Sequence, residues 1–152
     1  MDVELHVDAQ RQEPKIVILA GEDTPEIRQL MRELQNLALG PIPVWRGEER
    51  LLLPQSRILR FYTDGKGVSA QTEEETFSVR LRLYELEEKL EPTRFVRISN
   101  SEIVNLKQVT ALDLSLAGTI RMTLTGGVVC YVSRRYVKKI KQVLQLRKGG
   151  AE

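Results

Sequence analysis

The chain has 152 residues, of which 41% are apolar and 29% charged, with a net charge of +2, which leaves room for one packed domain with a small extension and is too mixed to be disordered by composition. Its apolar runs, such as Ile16 to Ala20, are far shorter than a membrane span, and its first residues lack the basic-then-apolar pattern of a secretory signal. Cys130 is the only cysteine, so no internal disulfide forms and a reducing, cytoplasmic setting is expected.

Val3, Leu5 and Val7 alternate with polar residues, which predicts a strand over 2–8, and the apolar run over 15–20 predicts a second, more buried strand. The period then changes. Ile27, Leu30, Met31, Leu34, Leu37 and Ala38 recur at spacings of three and four, predicting a helix over 25–39 with Thr24 as N-cap, Pro25 in its first position and Gly40 as its stop. Residues 40–47, GPIPVWRG, read as a connector, and a boundary near residue 47 closes an N-terminal β-β-α extension taken as residues 1–50. Short strands follow: RLLLP, then SRILRFYT, the turn TDGKG, and VSAQT and TFSV flanking the acidic run Glu73, Glu74 and Glu75 as a hairpin would. RLRLYELEEKL predicts a helix with Leu81, Leu83 or Tyr84, Leu86 and Leu90 inward; TRFVRIS, EIVNLKQVTALDL, GTIRMTL and VVCYVS supply more strand, with TGG as a turn. A last helix from 134 to about 146 carries Val137, Ile140, Val143 and Leu144 on one face. The fold class expected is mainly β (α+β): small antiparallel sheets with short flanking helices.

Little here supports catalysis. His6 is the only histidine, so Ser-His and Cys-His arrangements are unavailable elsewhere, and it reads as a half-exposed strand residue. Cys130 reads as sheet packing. Paired cysteines and His/Cys clusters are missing, and TGG and DGKG lack phosphate-loop and dinucleotide spacings, so neither enzyme activity nor cofactor nor metal is expected. The acidic run at 73–75 reads as a solvated hairpin tip.

Charge is distributed unevenly. Residues 1–91 hold 12 basic and 18 acidic side chains, while residues 92–152 hold 11 basic and 3 acidic, a polarity that points to a polyanion at the basic end or to a solvated charged face. Arg97, Ser99, Asn100 and Ser101 sit at a strand end, where they can donate to phosphates and base edges or simply form an Asx-type turn. Ser133 is placed to cap the last helix, which puts Arg134 and Arg135 at the positive end of its dipole. Basic residues are mildly disfavoured there, and a bound anion would reverse the cost.

These residues also resemble a known family. From about Ile58 to Leu144 the chain is similar to the LytTR DNA-binding domain, most specifically in FVRISNSEIVNL (95–106) and VSRRYVKKIK (132–141), in that order and spacing. The resemblance implies a fold of small antiparallel sheets whose loops enter DNA grooves, over residues 51–148, with 149–152 as a tail. It implies a bacterial, stand-alone transcription regulator bound to direct-repeat promoter sites on double-stranded DNA. Lys66 would enter one major groove, Asn100 the intervening groove, and Arg135 the next major groove, its fork reading a guanine edge. Arg82, Ser101, Ser133, Tyr136 and Lys138 would hold phosphates, as would Arg97, Ser99, Arg134 and Lys139 beside them. Many members carry His where this chain has Ser99, and residues 1–50 are too short for a doubly wound receiver domain. The layout is like that of small regulators often encoded beside a small membrane protein that restrains them.

Two further expectations concern partners. The helix over 25–39 either completes its own domain or pairs two copies of the chain; a dimer would multiply two weak half-site contacts on DNA. The rival reading is a protein-interaction module whose basic end docks an acidic partner, such as a membrane protein's cytoplasmic tail.

Overall fold

Strand alternation builds most of this molecule, and where it fails the cause is a missing neighbour. The computed structural model describes residues 1–12 and 14–150, apart from the side chains of 36–39 and 146–150. The chain divides into two units, Met1–Ala38 and Leu39–Glu152.

The first unit contains helix α1, Pro25–Leu39. Thr24 starts it as expected: its hydroxyl accepts from the Ile27 N–H at 3.2 Å and its carbonyl from the Arg28 N–H at 3.0 Å. Gly40, at φ 74°, takes the left-handed conformation that stops a helix. Leu37 and Ala38 have side chains outside the described residues. The strands expected over 2–8 and 15–20 are not formed: no described residue before Ile42 belongs to one. Alternation supplies a face, but a strand also needs a ladder partner, and these segments have none.

The second unit opens with a correction. Residues 40–47 are not a connector: Ile42–Arg46 is strand β1, paired with β2, Glu49–Leu53, across a tight turn at Gly47. Pro43 is tolerated because the next strand meets β1 only at Trp45, so the missing N–H forfeits no bond there. Ile42 and Val44 are buried, which the prolines conceal in a composition-based reading. The boundary expected near residue 47 falls inside this hairpin.

The remaining elements follow the sequence pattern. They are β3 (Arg60–Thr63), β4 (Val68–Gln71), β5 (Thr76–Val79), helix α2 (Leu83–Lys89), β6 (Phe95–Ser99), β7 (Glu102–Asn105), β8 (Val109–Asp113), β9 (Ile120–Leu124), β10 (Val128–Val132) and helix α3 (Arg134–Gly150). α3 runs past the expected end near 146, so the tail expected at 149–152 begins inside it; residues 151–152 lie outside the described residues. Seven strands form one antiparallel sheet in the order β2-β1-β5-β4-β3-β7-β6, and three form a second in the order β10-β9-β8. No described helix is long and apolar enough to cross a membrane.

β6 and β7 sit between two apolar cores, which explains their runs of adjacent hydrophobes. Phe95 and Ile103 join Phe61, Phe77, Leu83, Leu86 and Leu90 in one cluster. Val96, Ile98 and Val104 face the other way, packing with Ile120, Met122, Leu124, Val132 and Ile140. α2 therefore covers one core while β8–β10 and α3 close the other. The expected inward face of α3 holds: Ile140 is fully buried, and Val137, Val143 and Leu144 pack around it. Tyr84 is exposed, which leaves Leu83 as the inward residue of α2.

Candidate nucleic-acid interface

Strand register brings several loops to one end of the large sheet. Thr63 pairs with Val68 and Val68 with Val79, so the β3–β4 turn lies beside the segment 80–82 that leads into α2. Tyr62 pairs with Glu102, which puts the β6–β7 turn, residues 100–101, at the same end. A main-chain bond ties the two turns: the Thr63 N–H donates to the Ser101 carbonyl at 3.0 Å. The start of α3 arrives there through a bulge. Between Arg97 and Ser99 the β6–β7 register shifts by one residue, and the carbonyl of the bulged Ile98 accepts the Ser133 N–H at 2.9 Å. The Tyr136 hydroxyl then donates to Asn100 Oδ1 at 3.3 Å.

The three residues expected to read bases, Lys66, Asn100 and Arg135, are all exposed. Lys66 sits in a turn closed by its own N–H to Asp64 Oδ1 at 3.0 Å, with Gly65 at φ 92°. Asn100 tips the second turn. Arg135 is the second residue of α3, whose first turn contains no acid, so positive side chains crowd the positive end of the helix dipole. Ser133 caps α3 through its main chain, its carbonyl accepting the Tyr136 N–H at 2.9 Å. Arg82 is exposed at the N-cap of α2, where its N–H donates to Glu85 Oε1 at 3.1 Å.

Arg97 and the two serines differ from a simple phosphate-donor reading. Arg97 Nε donates to the Ser99 carbonyl at 2.8 Å and Nη2 to the Asn100 carbonyl at 2.7 Å, while Nη1 pairs with Glu87 on α2. The guanidinium thus moulds the turn from within. Ser99 Oγ accepts the Ser101 N–H at 3.2 Å, so this loop is a serine turn bent by Ser99, while the Asn100 side chain accepts from Tyr136 instead of forming the Asx-type turn expected.

The rest of α3 carries an additional basic face. Arg134, Lys138, Lys141 and Gln145 recur at spacings of four, three and four, lining with Gly118 an open groove of about 620 Å³. Gly118 is at φ 73°, and a Cβ there would meet Arg134 Nε at 3.0 Å, so the β8–β9 loop fits closely under that side chain. The spacing of Lys141 was available in the sequence. Lys139 points to another side of α3, beside Glu87 and Arg97.

Where the two sheets meet, Arg60 Nη1 donates to Glu102 Oε2 at 2.9 Å and to Cys130 Sγ at 3.6 Å. Burial, and then the Glu102 carboxylate, pushes the Cys130 thiol up to about 12, far from any nucleophilic range. Burial lowers the Arg60 pKa, but its bond to Glu102 more than offsets this and leaves it raised. Neither Arg60 nor Glu102 stood out in sequence. His6 lies outside any strand, highly exposed beside Glu4. The acidic run forms the β4–β5 hairpin tip, where Glu75 pairs with Arg46 and Glu74 with Arg57.

The geometry is that of a β-sheet module presenting loops and one helix start along a common edge, with a basic helix beside them. Residues 48–145 match the LytTr DNA-binding domain, and the chain belongs to that family. An uncharacterised HTH-type transcriptional regulator of Staphylococcus aureus strain MSSA476 is 35% identical over 147 residues, covering 96% of this chain and 99% of that protein. A similarly named protein of strain MRSA252 is 34% identical with the same coverage. The LytTr DNA-binding domain of a Bacillus cereus protein described as a methyl-accepting/DNA response regulator shares the fold, with a TM-score of 0.66 at 22% identity over 69% of this chain and 96% of that one.

Proposed function

We propose that this chain is a transcription regulator that binds double-stranded DNA, reading promoter repeats through loops in successive grooves. One observation carries the proposal: the β3–β4 turn, the β6–β7 turn and the start of α3 are bonded into one edge by Thr63 to Ser101, Ile98 to Ser133 and Tyr136 to Asn100. Their exposed tips are Lys66, Asn100 and Arg135. Arg135 is the strongest candidate for base readout, since its fork matches the two acceptors of a guanine edge. Arg82, Arg134, Lys138 and Lys139, all exposed, are assigned to phosphates, with Ser101, Ser133 and Tyr136 setting the register. Arg97 and Ser99 act at one remove, by holding the Asn100 turn in shape. Phosphate bound at the start of α3 would also relieve the charge crowding at Arg134 and Arg135.

Selection of bound sites from a random DNA pool by the purified chain tests this. The expected result is an enriched repeated motif whose affinity falls with salt at a log–log slope of roughly −4.5 to −7, as ~5–8 phosphate contacts require. Recovery of no motif, with salt-sensitive binding to an acidic protein instead, would favour the interaction-module reading.

A further inference from the structure

Residues 1–38 have the apolar content of a folding unit without its burial among the described side chains. Among the described residues of this unit none is buried, and Val3, Leu5, Val7, Ile16, Val17 and Leu19 are 61–93% exposed. We propose that this unit is a self-association module, in which two copies of the chain pair their N-terminal segments and complete strands that one copy leaves without partners. The proposal does not rest on the DNA reading.

The argument begins with the pattern. In residues 2–8 every second side chain is apolar, an arrangement useful only to a strand with one covered face. A tight turn follows at once, the Arg11 N–H donating to the Asp8 carbonyl at 3.1 Å and the Gln10 N–H to Asp8 Oδ1 at 3.0 Å. The chain is therefore set to fold back with its second apolar run, 16–20. A lone two-stranded hairpin is marginal in water, and one amphipathic helix adds little; doubling the strands removes that deficit.

A second copy fits this face. Antiparallel pairing of 2–8 with itself about a twofold at Leu5 sets Val3 opposite Val7 and Glu4 opposite His6, keeping apolar side chains together and placing a carboxylate by an imidazole. Those two groups already meet at 2.9 Å within one chain. The like-charged pair, Asp2 opposite Asp8, falls at the ends, where water screens it. Edge pairing sets Val3, Leu5 and Val7 of the two copies side by side on one face of the joined sheet, where each partly covers its neighbour. The similarity to the S. aureus relatives covers 96% of this chain and so takes in nearly all of this unit. It is a shared part of these proteins and not an appended tail.

Sedimentation of the full chain, beside a Leu5→Lys/Val7→Lys variant, tests the proposal. The wild-type chain is expected to sediment at twice its chain mass at high micromolar concentration and to dissociate on dilution, while the variant stays monomeric. Amide exchange over residues 3–7 should be slow in the dimer and become fast on dilution. Both substituted side chains are exposed, so the unfolding midpoint of the sheet unit should not move. A wild-type monomer at high concentration, a variant that still dimerises, or residues 3–7 protected where the chain is monomeric would each overturn the proposal; the last would assign the face to the chain's own second unit.

Discussion

Where the two sheets meet, Arg60 is largely enclosed, its guanidinium fixed between Glu102, Gln71 and Cys130. At the start of α3, Arg134 and Arg135 stand exposed, with no acid in the helix's first turn. The residue type is the same and the physics is opposite. Inside, a positive charge is tolerated because a carboxylate meets it, and the pair ties β3 to β7 within the large sheet where Cys130 of the small sheet packs against it. Outside, the charges repel one another at the wrong end of a dipole, a small cost that only a partner anion removes. Matched positive charge thus serves the fold, and on the proposed reading the charge left over serves DNA.

That contrast is broken most directly at its interior pole. Arg60→Ala leaves the Glu102 carboxylate, itself 15% exposed, without its cation, and should lower unfolding stability by about 2–3 kcal/mol in denaturant titration. Arg60→Met with Glu102→Leu should recover most of the loss, since replacing both partners removes the unpaired charge. If the double variant is no better than the single, the pair is not what Arg60 contributes.

At the exterior pole the expected effect is on binding. Arg135→Ala should cost about 1–3 kcal/mol of DNA affinity and relax preference at one base pair, with stability unchanged. An unaltered motif in site selection would remove Arg135 from base readout. Arg97 lies between the poles. It is partly buried and fully engaged by Glu87 and two carbonyls, yet those carbonyls belong to the exposed turn. Arg97→Ala should weaken DNA binding by about 1–2 kcal/mol and relax preference at the base pairs under Asn100, as that turn loosens. Arg97→Lys should not rescue it, because one ammonium cannot span three acceptors held by a planar fork. Rescue by lysine would mean that charge alone matters there.

These roles were unequally legible in the sequence. The short apolar runs of β3 to β10 and the helical spacing of α3 announced the elements, because each buries one or both faces and burial writes the pattern. β1 was hidden by Pro41 and Pro43, whose usual meaning is overridden by pairing with β2. Residues 2–8 show the converse: the pattern is present and the strand is not, since a pattern cannot supply its partner. FVRIS and VSRRYVKK pointed to segments that the fold brings together along one edge, but not to the different contacts their residues make there. Nothing in the residue letters says that Arg97 turns inward while Arg135 does not. That depends on the bulge at Ile98 and on Glu87 lying across on α2, both products of tertiary structure.

The smallest effect gives the sharpest test of what unmatched charge does. Lys138 is exposed on the face of α3 that carries Arg134 and Lys141, four residues beyond the first of them. A lysine on a phosphate contributes mainly by releasing a counterion, worth about 0.9 in the log–log salt slope, and carries no sequence information. Lys138→Ala should therefore flatten the slope by about one unit, weaken selected and random DNA equally, and lose its effect as salt rises. Arg135→Ala should instead keep its discrimination defect at high salt, because a bidentate contact to a base edge depends on geometry and not on released ions. Identical salt behaviour of the two variants would erase the distinction between register and readout along α3, leaving the helix start as undifferentiated positive charge.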